Sequence, residues 1–376
     1  MDFIDLKAQQ QRIRPRIEAN IQAVLDHGQY VMGPEIFELE RRLAEYCGVR
    51  HAVSCASGTD ALILSLMAYG VGPGDAVFTT PFTFVATAEA VRLLGATPVF
   101  VDIDPATFNM APEALETAVS AVAACSGDLT PRGILPVDLF GLPADYAPIQ
   151  AVARKYGLFI LEDAAQSFGA EYHGRKAGAL GEIAATSFFP AKPLGAYGDG
   201  GMCFTDDDGL AEALRSLRIH GMGADKYDNV RIGINGRMDT IQAAILLAKF
   251  EIFPEELERR QKVAARYARG LTGVTVPTVP EGSLSAWAPY SVLAADSNHR
   301  TMLQARLKEA GIPTAVYYPI PLHLQTAYKS HDCAPGDFPV TEDAAARIFS
   351  LPMHPYLPPE DQERIMQIIV GSPAKE

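Results

Sequence analysis

Cysteine is scarce and unpatterned in this chain. The five, Cys47, Cys55, Cys125, Cys203 and Cys333, are odd in number and show no CxxC spacing, which argues against a disulfide framework and against a zinc site. Long apolar runs are lacking too. No stretch approaches the ~20 consecutive apolar residues of a membrane span, and the N-terminus MDFIDLKAQQQRIRPR has no apolar signal core, so a cytoplasmic protein without membrane contact is expected. Positive charge is in deficit. A net charge of −13 argues against nonspecific nucleic-acid binding, which needs a basic surface, although a few local arginines and backbone N–H groups still suffice for a small anion. Internal repeats and low-complexity runs are absent, and 48% hydrophobic with 20% charged residues is the balance of a globular rather than a disordered chain.

What is present reads as alternating strands and helices. Two amphipathic helices occupy the first fifty residues, the second at about Pro34 to Tyr46 with Ile36, Leu39, Leu43 and Tyr46 at helical spacing. The short apolar runs AVFTTP, PVFVDID, GILPVDLFG, LFILED, AATSF and MCFT follow, separated by helical segments such as PIQAVARKYG. That alternation predicts a largely parallel sheet with helices on both faces. GVGPGD (70–75) precedes a strand instead of following one, so it is no dinucleotide fingerprint. Asp239 to Phe253 reads as a long buried helix ended by Pro254, which sets the expected boundary between a large domain, 1–254, and a smaller α+β domain, 255–376.

The most informative stretch is SFFPAKPLGAYGDGG, Ser187 to Gly201. Pro190 and Pro193 stiffen the backbone around Lys192 and disfavour helix there. A lysine among Phe188, Phe189 and Leu194 would have a lowered pKa and become a usable nucleophile; alone, the stretch equally suits a surface loop. The strand LFILE (158–162) shifts that balance. It ends in Asp163, where α/β sheets place their ligands, and a strand at Ala184 to Phe188 would bring Lys192 back beside it. A carboxylate for a pyridinium nitrogen and a lysine for an aldehyde are the two requirements of pyridoxal 5′-phosphate. Ser57, Gly58 and Thr59 form a turn at a helix start, either an ordinary N-cap or a phosphate site.

EDAAQSFGA together with TSFFPAKPLGAYGDGG resembles the pyridoxal-phosphate-dependent nucleotide-sugar aminotransferases of the DegT group, and the likeness runs from FIDLKAQQ to SLPMHPYL. RIGINGRMDTIQAAILLAKFEIF and YPIPLHLQ look closest to enzymes that aminate UDP-2-acetamido-2-deoxy-3-oxo-glucuronate. The resemblance implies the α/β, aspartate aminotransferase-like fold type I and L-glutamate as amino donor. It also implies a homodimer with shared active sites. By the same resemblance Lys192 and Asp163 are catalytic, Gly58, Thr59 and Ser187 bind the cofactor phosphate, and Phe84 stacks on the ring. Gln166 bonds the ring oxygen, and Asn235 reaches the partner's phosphate. Tyr318, in YPIPLHLQ, faces the substrate, and Tyr317 stands where relatives commonly have a histidine. Arg231, four residues before Asn235, is a candidate for a two-pronged pair with the sugar carboxylate; a surface ion pair or a nucleotide phosphate contact are its alternatives. Other acceptors considered are dTDP-linked 3-keto or 4-keto-6-deoxy sugars. A dehydratase on the same fold is disfavoured by Lys192, since such relatives carry histidine there, and a cofactor-binding sensor without turnover is the remaining alternative.

Overall fold

The computed structural model describes residues 1–125, 127, 129–328 and 333–371. The short apolar runs become β1 (His51–Cys55), β2 (Asp75–Thr79), β3 (Thr97–Phe100), β4 (Thr130–Ile134) and β5 (Phe159–Asp163). A small hairpin, β6 (Glu171–Tyr172) and β7 (Arg175–Lys176), leads into β8 (Ile183–Ser187) and β9 (Gly201–Thr205). Seven of these form one sheet in the order β1-β9-β8-β5-β4-β2-β3. The ladders β2/β3, β2/β4, β4/β5 and β5/β8 are parallel, while β9 runs antiparallel to both β8 and β1. Every residue of β8 and β9 is buried, as continuous apolar central strands demand when helices cover both faces.

The rest packs onto that sheet or beside it. β10 (Ser283–Leu284) adds to the β6/β7 hairpin, and β11 (Tyr290–Leu293) pairs antiparallel with β12 (Ile348–Leu351). The helix Pro34–Cys47 buries Ile36, Leu39 and Leu43 completely, worth about 1.5–3 kcal/mol for each side chain removed from water.

The expected helix from Asp239 to Phe253 is Thr240–Phe250, and a second helix, Phe253–Gly270, follows it. Pro254 starts the second one. Its missing N–H falls in the first turn, where no intrahelical bond is lost. Phe253 and Leu257, early in this helix, pack with Ile36 and Phe168, whereas Val263 and Tyr267, further along, pack with Tyr290 and Phe349. One helix therefore joins the main core to that of the C-terminal β11/β12 unit. Among the described residues no helix is long and apolar enough to cross a membrane.

Candidate active site

At the carboxyl ends of β5 and β8 lies a cavity of about 500 Å³. Strand pairing explains why two residues distant in sequence meet there. Asp163 closes β5 opposite Ala185 of β8, and the chain leaving β8 turns at once, with Lys192 N bonded to Phe189 O at 2.9 Å and Ala196 N to Phe188 O at 2.7 Å. The turn needs Gly195, because a Cβ there would sit 2.4 Å from Pro190 O. Lys192 is thereby held in the cavity that Asp163 also lines.

The electrostatics follow from burial. Asp163 is only 4% exposed. Desolvation pushes its carboxyl above the usual aspartate range, opposed by a hydrogen bond from Thr87, by the Ala165 N–H and by the charge of Lys192. For Lys192, burial lowers the amine's pKa below that of an ordinary lysine, and the charge of Asp163 works against this. Burial thus favours the neutral, nucleophilic form of the Lys192 amine, with the Asp163 carboxyl as its electrostatic partner.

The phosphate turn is built by close approach. The helix Gly58–Ala68 starts after the N-cap Ser57, whose side chain accepts from Asp60 N at 3.0 Å. The amides of Gly58 and Thr59 stand ahead of the first intrahelical bond, Ala61 N to Ser57 O, so they face the cavity as donors at the positive end of the helix. A Cβ on Gly58 would lie 2.6 Å from Ser187 Cβ and 3.0 Å from its Oγ. Glycine alone lets the helix start and the end of β8 come together. An anion cradle, a nucleophilic lysine and a buried carboxylate around one cavity fit pyridoxal phosphate in charge and donor set.

Of the remaining expected residues, Phe84, Gln166, Tyr317 and Tyr318 all line the cavity. Gln166 Oε1 accepts from Phe140 N at 2.9 Å, leaving its Nε2, 3.4 Å from the Tyr318 hydroxyl, on the cavity side. The rings of Phe84 and Tyr318 lie 6.2 Å apart. Asn235 is exposed and outside the cavity of its own chain. Arg231 is elsewhere. It lines a separate recess with Gly157, Phe159 and Asp207, and its guanidinium lies 3.5 Å from Glu212.

Sequence reasoning missed several residues at the site. Phe3 and Ile4 line the cavity, held by a bond from Met353 N to Phe3 O at 3.3 Å and by the Phe3 ring 6.4 Å from that of Tyr317. Asp199 lines it as well. Thr87 donates to Asp163 Oδ2 at 2.8 Å; its place in ATAEAV gives no hint of this.

Fold and site together define a pyridoxal-phosphate-dependent transferase. A family model described as the DegT/DnrJ/EryC1/StrS aminotransferase family matches residues 11–370. A relative from Pseudomonas aeruginosa, the UDP-2-acetamido-2-deoxy-3-oxo-D-glucuronate aminotransferase, is 52% identical over 95% of this chain and 96% of its own. Among solved structures, a DegT DnrJ EryC1 StrS aminotransferase from Brucella abortus is 53% identical with a TM-score of 0.96, covering 100% of both chains. The Bacillus subtilis protein ntda, solved with bound cofactor PMP, is 29% identical with a TM-score of 0.88 over 98% of this chain and 83% of its own. The chain belongs to the DegT/DnrJ/EryC1/StrS aminotransferase family, and its cofactor is pyridoxal 5′-phosphate.

Proposed function

We propose that the protein moves an amino group from L-glutamate to a nucleotide-linked keto sugar, UDP-2-acetamido-2-deoxy-3-oxo-glucuronate, giving the 3-amino sugar and 2-oxoglutarate in the cytoplasm. The observation that carries the chemistry is the sharing of one cavity by Lys192 and Asp163; the Pseudomonas aeruginosa relative supports the acceptor. Bound pyridoxal phosphate supplies an electron sink and a carbonyl that carries nitrogen between the two substrates.

The chain's own residues do the rest. Gly58 and Thr59 N–H groups and the Ser187 hydroxyl hold the phosphate. Asp163 would keep the ring nitrogen protonated, Gln166 would donate through Nε2 to the ring oxygen, and Phe84 would supply an aromatic face for the ring. Lys192 Nζ, whose desolvation favours the neutral amine, would take the α-hydrogen of glutamate and return it to the cofactor's carbonyl carbon on the far side of the transferred nitrogen; with the keto sugar it would make the same transfer in reverse. Tyr317 and Tyr318 border the space left for the sugar.

The active unit is a homodimer. Among the described residues lining the cavity Lys192 is the single basic side chain, beside the carboxyl groups of Asp163 and Asp199. A cofactor phosphate and a nucleotide diphosphate need more positive or donor groups than that. The segment that carries Asn235 leaves Tyr227 88% and Ile232 90% exposed, an apolar surface suited to a second copy. Asn235 of the partner subunit completes the phosphate site in this reading. Within its own chain Arg231 pairs with Glu212 away from the cavity, which favours the surface ion pair over a contact with the sugar carboxylate. The chain divides at Pro254 into the cofactor-binding domain, 1–254, and a small domain, 255–376, that brings Tyr317 and Tyr318 to the site.

The test is incubation of the holoenzyme with glutamate and a panel of nucleotide keto sugars, followed by mass spectrometry. Amination of the 3-oxo-glucuronate, with no comparable product from 6-deoxy keto sugars, is expected. Preference for a 6-deoxy sugar would overturn the acceptor assignment.

A further inference from the structure

Two buried threonines line the cavity beside Asp163. Thr87 and Thr83 are 1% and 2% exposed, and their hydroxyl oxygens are 3.1 Å apart. Thr87 Oγ1 lies 2.8 Å from Asp163 Oδ2. The other carboxylate oxygen accepts from Ala165 N at 3.2 Å. We infer that Thr83 and Thr87 form a directional hydroxyl relay that holds Asp163 ionised and oriented toward the cofactor ring, which makes Thr87 a positioning residue for the transamination.

The direction of the relay follows from proton counting. An ionised carboxylate only accepts, so the Thr87 proton goes to Asp163. With its one proton committed, Thr87 accepts from Thr83. Both hydroxyl dipoles then point at the same negative charge, and successive hydrogen bonds polarise one another. The relay is needed because burial favours the neutral carboxylic acid, as the raised pKa of Asp163 reflects. Thr87 sits in the first turn of the helix Ala86–Leu93, so a rigid element, rather than a loop, fixes the donor.

The consequence concerns where one proton rests. Between the ring nitrogen and Asp163 the proton lies on whichever atom is more basic. Removing the Thr87 donor makes the Asp163 oxygen more basic and draws that proton off the nitrogen. The ring then becomes a weaker electron sink, although Asp163 itself is unchanged. This inference rests on the assignment of Asp163 to the ring nitrogen.

The experiment compares Thr87→Val, Thr87→Ser, Thr83→Val and Asp163→Asn, each reconstituted with pyridoxal phosphate labelled with 15N in the ring. The 15N chemical shift reports protonation of the nitrogen directly, and the glutamate half-reaction is timed alongside. Thr87→Val, nearly isosteric, should move the signal toward that of neutral pyridine and slow the half-reaction about tenfold, the scale of one lost hydrogen bond to a charge. Thr87→Ser, which keeps the hydroxyl, should restore the wild-type signal. Thr83→Val should shift it in the same direction by less, and serves as the readout if Thr87→Val fails to fold. A wild-type 15N signal in Thr87→Val overturns the relay even if activity falls, provided that Asp163→Asn moves the signal. An unmoved signal in Asp163→Asn would overturn the placement of Asp163 and the relay together.

Discussion

Replacing Gly58 by alanine sets two effects of opposite sign against each other. In the first turn of a helix, alanine is favoured over glycine by up to about 1 kcal/mol. Gly58 has no left-handed backbone to protect, so the local argument predicts a more stable protein. The tertiary argument predicts the reverse. The new Cβ would meet Ser187 Cβ at 2.6 Å and Ser187 Cα at 3.2 Å, where carbon atoms prefer about 3.5–4.0 Å. Overpacking of that kind costs about 1–3 kcal/mol, so the clash wins unless the helix start moves away from β8 by roughly 1 Å. Any such movement carries the Gly58 and Thr59 amides with it. The cofactor phosphate then loses its geometry with both donors, and the dissociation constant for pyridoxal phosphate should rise about 10- to 100-fold, equivalent to about 1.4–2.8 kcal/mol. Titrating the apoprotein with cofactor, followed by absorbance, measures this. Binding as tight as the wild type's would refute the close approach of these two segments as the origin of the phosphate site.

Other outcomes follow from the same structure. Asp163→Asn should retain cofactor but lose at least about 100-fold in glutamate turnover, because a neutral ring nitrogen stabilises developing negative charge poorly; stopped-flow of the half-reaction checks it. Glu162 is fully buried, and burial raises its pKa to about 7 from 4.5. An acid whose pKa is higher in the folded state loses stability as pH rises through that window, by at most about 1.4 kcal/mol per pH unit. Urea unfolding between pH 4.5 and 7 should therefore show a declining midpoint, and Glu162→Gln should flatten it. Mixing Lys192→Ala with Asn235→Ala subunits should restore part of the activity, since one site of each mixed dimer is intact. No recovery after demonstrated subunit exchange would exclude the shared site. Arg231→Ala should leave kcat/KM for the uronate within about threefold, as for a mostly exposed ion pair; a loss of thirtyfold or more would bring Arg231 back to the substrate.

The sheet and its cofactor end were legible because they rest on local rules. An apolar strand ending in Asp163, and a lysine between Pro190 and Pro193, carry their meaning in consecutive residues. The parallel order of the sheet followed from alternation, although the reversal of β9 did not, since an isolated apolar run such as MCFT has no direction. Pro254 sits in the first turn of the helix that follows Thr240–Phe250, a position that suits proline as well as the residue after a helix does. Thr87 and Phe3 were illegible for a different reason. Thr87 reaches Asp163 across 76 positions of chain, and Phe3 lines the cavity only because a strand end near Met353 holds it there. Contacts like these arise from tertiary packing and leave no periodic mark in the sequence. The contact of Arg231 with Glu212 was likewise illegible, since the two lie well apart in sequence and meet through the turn-rich segment between them.

Covalent attachment at Lys192 is the most direct test of the whole account. Holoenzyme treated with borohydride and digested should carry the reduced cofactor on one peptide, the one containing Lys192, and the bound absorbance should vanish in Lys192→Ala. Cofactor fixed to any other lysine, Lys249 included, or none retained after reduction, would contradict it.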